Sequence, residues 1–223
     1  ANSYTWLFDG FVHADVLYVG LLEVSSDASA TALGFRLTGM QLARIANWRD
    51  APRAWRIETS RLANSAHAFP GSALVVKGDH LYLFAFTEMQ DGHQPRFLTR
   101  LALDRLEAFP ADLSGSLETL SADAGWQPGL LPERAAILMD DNASEMSVEF
   151  DADRARWLAV YASPVQTGSS RADRPSDRVY VRTAEFLEGP WSQRSLLYLM
   201  PELQPDHFGG HEPDTLCYAA KAH

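Results

Sequence analysis

Three stretches of this chain repeat one plan. A polar or small start leads into an apolar strand, a charged turn and a second strand centred on a large side chain. They are "DGFVHADVLYVGLLEV" (9–24), "GSALVVKGDHLYLFAFTE" (71–88) and "EMSVEFDADRARWLAVYA" (145–162), with a weaker fourth in "HEPDTLCYAAKAH" (211–223). Their anchors, Tyr18, Tyr82, Leu158 and Tyr218, stand 64, 76 and 60 residues apart. Hairpins recurring at such intervals in a strand-rich chain point to a propeller, with one small antiparallel sheet per blade. The intervals exceed the roughly 40 to 50 residues of common propeller repeats, so long loops are expected. A β-sandwich whose hairpins resemble one another by chance is the alternative architecture.

The repeats also set the domain reading. A closed propeller needs at least about four blades. Three intervals and a stub use the whole chain, so about three blades plus part of a fourth are expected. We read residues 1–223 as a single propeller domain, truncated at both ends.

Strand signals dominate elsewhere too. The segments 15–24, 72–89, 95–103, 146–163, 177–186 and 195–200 are short, rich in β-branched and aromatic residues, and bounded by Gly, Pro, Asp or Asn. "GMQLARIANWR" (39–49) has some helical spacing, but its alternation favours a strand. Gly78-Asp79 and Asp151 to Arg154 read as hairpin turns, and "EGPW" (188–191) ends a strand at Pro190. The polar "SPVQTGSSRADRPSD" (163–177) reads as a long surface loop.

Composition narrows the function. A net charge of −10 over 223 residues, with no basic run, argues against a nucleic-acid partner. No apolar stretch approaches the ~20 residues that cross a bilayer, so membrane insertion is not expected. The single cysteine, Cys217, excludes an intrachain disulfide framework and, in apolar "TLCYAA", reads as a buried residue. No "GxSxG" or phosphate-binding loop is present.

"ASEMSVEFDADRARWLAVYAS", "RVYVRTAEFLEGPWS" and "CYAAKAH", in that order and spacing, resemble a bacterial five-bladed β-propeller family long known as a domain of unknown function. Its members include endo-D-arabinanases, and its fold is related to family 43 glycoside hydrolases. "YTWLFDGFVHADVLYVGLLEV" and "RFLTRLALDRLEAF" fit the same pattern more loosely. The resemblance implies an all-β, five-bladed propeller and a polysaccharide-cleaving activity on an arabinan-type furanoside. It also implies blade sequence after His223 and before residue 1, the latter a place for an acid that completes the active site. A secreted or periplasmic location would suit such an enzyme; the oligomeric state is left open.

Glycoside hydrolysis uses two carboxylates, one to protonate the leaving oxygen and one to activate water or attack. In a propeller, the starts of the first strands of successive blades cluster at one mouth of the channel. Glu145 heads such a strand between the small Ser144 and Met146, and partial burial would raise its pKa as a general acid requires. A rim glutamate on an ordinary hairpin is the bland reading. Asp9, among Trp6, Phe8 and Phe11, is the second candidate; an Asp-Gly turn is its bland reading. Trp6, His67, Arg182, His211 and His223 are candidate substrate contacts.

"HFGGHEPD" (207–214) has HxxxH spacing, but Gly209-Gly210 opposes the helix that would turn it into a zinc site. "MDDNASE" (139–145) offers Asp140, Asp141 and Asn142 as oxygen donors, yet lacks the calcium-loop series. No metal or other cofactor is expected, calcium being only weakly supported. The expected partner is a carbohydrate. The competing function is a non-catalytic propeller that binds glycan or protein at the same mouth.

Overall fold

Each of the three clear sequence repeats forms the leading hairpin of its own antiparallel sheet. The computed structural model describes residues 3–27, 35–63, 65, 67–88, 94–140, 145–163, 177–201 and 219–222. The first sheet runs β1 (Ser3–His13), β2 (Val16–Ser26), β3 (Phe35–Ile45) and β4 (Ile57–Ala63), in that order. The second runs β5 (Ala68–Lys77), β6 (His80–Thr87), β7 (Arg96–Ala102), β8 (Glu118–Ser121) and β9 (Gly125–Pro128). The third runs β10 (Ser147–Asp151), β11 (Arg156–Ala162), β12 (Arg178–Ala184) and β13 (Ser195–Leu199). Helical residues among those described are confined to short 3-10 turns. The chain divides into two compact units, one holding the first two sheets and the other the third.

The anchors share one structural position. Tyr18, Tyr82 and Leu158 are each the third residue of the second strand, opposite Phe11, Val75 and Glu149. The sequence intervals are therefore blade-to-blade distances, and the meander is the blade unit of a propeller. The all-β propeller fold expected from the sequence is what the described residues adopt, as three blade sheets. Segment 39–49 supplies most of strand β3, as its alternation predicts. Of the weaker fourth repeat, only 219–222 are described; Ala220 and Ala222 pack on Val160, Ala162 and Val179 of the third sheet.

Three strands beyond the expected segments complete the blades: β4, β8 and β9. They are outer strands, short or polar, so they lack the apolar run that marks β6. In "HLYLFAFT" residues 81–86 are all buried, and such a continuous run is what a strand covered on both faces requires. The core of the first unit joins its two sheets: Phe8, Leu22 and Leu42 from one lie in a single cluster with Phe69, Leu83 and Phe86 from the other.

The hairpin turns differ in chemistry. Between β5 and β6, Gly78 takes φ 59° at no steric cost. Between β1 and β2, Ala14 and Asp15 hold φ 47° and 62°, the two-residue geometry that suits a twisted hairpin but strains a side chain. Replacing Ala14 by glycine is expected to stabilise the first unit by roughly 0.5 to 1 kcal/mol, the left-handed penalty less glycine's entropy. Urea unfolding of Ala14→Gly should show the gain; a midpoint below the parent's would contradict it.

Candidate functional site

The leading strands β1, β5 and β10 gather most of the candidates. Trp6 and Asp9 lie on β1, His67 stands one residue before β5, and Glu145 two residues before β10. Arg182 lies on β12, the third strand of its sheet. His211 and His223 lie outside the described residues, as do Asp141, Asn142, Glu212, Asp214 and Cys217.

Glu145 is half-buried and followed by a well-packed strand start, with Met146, Ser147 and Val148 all under a tenth exposed. Burial disfavours the charged carboxylate and pushes its pKa up, while the positive charge of Lys221 pulls it partly back. A carboxyl in this state holds its proton to higher pH than an exposed glutamate does, as a proton donor must. Beside it, Ser147 Oγ accepts a hydrogen bond from the Ala222 amide at 2.8 Å. Lys221 was not among the residues singled out from sequence; "AAKAH" gives no sign that it comes back to β10.

Asp9 sits in a β-bulge, where the pairing of β1 with β2 slips between Leu7 and Gly10. Its Oδ1 accepts the Gly10 amide at 2.9 Å, and its Oδ2 accepts the Leu74 amide of β5 at 2.8 Å. A Cβ on Gly10 would stand 2.9 Å from the Tyr18 carbonyl oxygen, so the bulge needs glycine there. β5 is itself irregular between Pro70 and Ala73, and the two leading strands pack together. The Asp-Gly turn expected as the bland alternative is thus a bulge that ties two blades. Asp9→Ala should cost about 1 to 3 kcal/mol by leaving the Leu74 amide without its acceptor. Chemical denaturation tests this; an unchanged midpoint would remove the tie.

The other three have defined surroundings. Trp6 is half-buried, edge-on to Phe35 at 4.6 Å. His67 is exposed; its amide donates to Ser65 Oγ at 3.0 Å and its carbonyl accepts from Thr87 Oγ1. Arg182 is buried, and its guanidinium donates to Tyr161 Oη at 2.8 Å and to the Ser192 carbonyl at 2.6 Å. These bonds make Arg182 a lock between β11, β12 and the loop after β12.

An open depression of about 540 Å³ lies on the third sheet, lined by Arg156, Thr183, Glu185, Pro190, Trp191 and Ser192. It is at the turn end of the β10–β11 hairpin, the opposite end of β10 from Glu145. Among the described residues, no group of three or more His, Cys, Asp or Glu is placed to hold a metal ion. Asp140, the described member of the candidate calcium loop, is exposed. No helix among the described residues is long and apolar enough to cross a membrane.

No family model matches the chain, and no curated protein matches it in sequence. Among solved structures, it is similar to a protein of Bacteroides ovatus ATCC 8483 provisionally called a hydrolase, with a TM-score of 0.64 and 16% identity. That match covers 92% of this chain and 48% of the other, so the chain spans about half the length of that protein. A more distant match is CoXyl43, a GH43 β-xylosidase/α-arabinofuranosidase from a compost microbial metagenome. Its TM-score is 0.49 at 10% identity, covering 85% of this chain and 58% of that one. The likeness to the Bacteroides protein is one of fold.

Proposed function

We propose that this chain is part of a glycoside hydrolase, a five-bladed propeller in which residues 1–223 contribute to one propeller domain. The observation that carries the reading is Glu145: a half-buried carboxyl at the start of a blade's leading strand, its pKa raised by burial. In this reading Glu145 protonates the leaving glycosidic oxygen. A second carboxylate either activates water or attacks the sugar directly. Asp9 is assigned that second role; each of its oxygens accepts one backbone amide and keeps a lone pair for a water or sugar. The substrate class is a polysaccharide, and an arabinan-type furanoside is the first to test. Trp6 and His67 are assigned as sugar contacts. Export to the periplasm or medium would bring such an enzyme to its substrate. The name given to the Bacteroides protein, a hydrolase, is of the same reaction class.

The test is release of reducing sugar from arabinan and other plant polysaccharides by the parent chain and by Glu145→Gln. Loss of release in the variant supports the assignment; full activity removes Glu145 from the mechanism. A second reading, a non-catalytic glycan-binding propeller, is favoured by Asp9, whose carboxylate already ties β1 to β5. It predicts carbohydrate binding by calorimetry with no sugar release from either form.

A further inference from the structure

The short stretch 219–222 meets the sheet beside Glu145. Its backbone turns through a left-handed residue, Ala219 at φ 57°, and then docks on the third sheet. Ala220 and Ala222 are its apolar anchors, packed with Val160, Ala162, Val179 and Met200. The Ala222 amide donates to Ser147 Oγ at 2.8 Å, a side chain two residues along β10 from Glu145. Lys221 lies between the two anchors. Those anchors bring the backbone on either side of Lys221 to the start of β10, where Glu145 leads into the strand.

We propose that Lys221 is a positioning residue for Glu145, its ammonium held beside that carboxyl by the Ala222–Ser147 clamp so as to set the acid's protonation state. The inference rests on the reading of Glu145 as the general acid. The chemistry is that of a partly desolvated carboxyl: burial favours its protonated form, and a nearby cation favours the ionised one. A general acid must release its proton in the reaction and regain it afterwards, so its pKa works best near the operating pH. Burial raises it and Lys221 limits the rise.

Other charges around this end of the sheet are placed differently. Asp140 is exposed five residues ahead, and on β10 Glu149 and Asp151 lie toward the turn, Asp151 paired with Arg154 at 2.9 Å. On β11, Arg156 is at the turn end. On β12, Arg178 stands 3.6 Å from Asp177, and Arg182 is bound by Tyr161 and Ser192. The positive charge of Lys221 works against the effect of burial on Glu145.

The experiment is a carbon-detected NMR titration of the Glu145 carboxyl, its signal assigned by its absence in Glu145→Gln. It is run on the parent chain, Lys221→Met and Lys221→Arg. The expected result is an upward shift of the Glu145 pKa in Lys221→Met and its retention in Lys221→Arg. Circular dichroism should show the same fold for all three. An unmoved Glu145 in Lys221→Met overturns the proposal. Sugar release against pH separates it from the reading beneath it. If Glu145 is the acid, the alkaline limb of activity moves up in Lys221→Met together with the carboxyl. A carboxyl that moves while the activity profile stays fixed removes Glu145 as the acid but leaves the Lys221 contact standing.

Discussion

Glu145→Gln is expected to lower sugar release by about a hundred- to ten-thousand-fold, the usual contribution of a general acid, while leaving the fold intact. Glutamine matches the size of glutamate, so Met146 and Val148, buried beside it, keep their packing. What it lacks is an acidic proton for the leaving oxygen. The pH dependence has a definite sign. The folded-state pKa of Glu145 is raised, so its favourable contribution is present while the carboxyl is protonated and is lost as pH rises through that pKa. Activity that needs the protonated acid falls over the same window. Glutamine stays neutral throughout, so the variant's unfolding midpoint at neutral pH should be no lower than the parent's. A large loss of activity together with a large loss of stability would point instead to a structural role.

Phe86→Ala should be the most damaging single truncation in the first unit, at about 3 to 5 kcal/mol for a buried phenylalanine. Phe86 is fully buried on β6, between its cross-strand partners Phe69 on β5 and Arg96 on β7. Its ring centroid lies 5.1 Å from that of Phe69 and 6.4 Å from that of Phe8 on the first sheet, and the Arg96 guanidinium sits over it at 4.9 Å. Truncation leaves a cavity where two sheets meet and takes away the aromatic face beneath a buried arginine, a contact worth up to about 2 kcal/mol when desolvated. Urea unfolding measures the loss. Phe150→Ala is the control: Phe150 is half exposed on β10, and its removal should cost less than about 1 kcal/mol. Equal losses for the two would contradict this account of the core.

The leading hairpins were legible because local chemistry defines them. Gly78-Asp79 and Asp151 to Arg154 mark turns in the sequence itself, and the anchors beyond them fall in one register. Outer strands were less legible. Residues such as Glu58, Thr59 and Ser60 on β4 form a ladder with β3, but their types alone read equally well as a loop. The Ala14-Asp15 turn lacks glycine, so its left-handed geometry comes from the strands it joins. At the candidate site, the sequence locates the residues without their partners. Asp9 is held by a backbone amide 65 residues away, and a main-chain donor carries no sequence signature. Arg182 was legible as a candidate substrate contact, but its bond to the Tyr161 hydroxyl on the neighbouring strand was not. Glu145 was legible as a strand-leading acid; Lys221, proposed to temper it, stands 76 residues further along the chain, beyond the reach of any local pattern.

Every sheet described here pairs its strands in sequence order, and this bears on synthesis. A ribosome releases the chain from its N-terminal end, and a meander needs only the strand just made. The first sheet has all its strands once Ala63 has emerged, before Ala68 begins the next. Its apolar face then lacks a cover, because Phe8, Leu22 and Leu42 find Phe69, Leu83 and Phe86 only when the second sheet arrives. The nascent chain thus exposes a sticky half-core for the time taken to translate β5 and β6. Slowing translation over residues 64–87 would lengthen that exposure, and a holdase chaperone would find its target there.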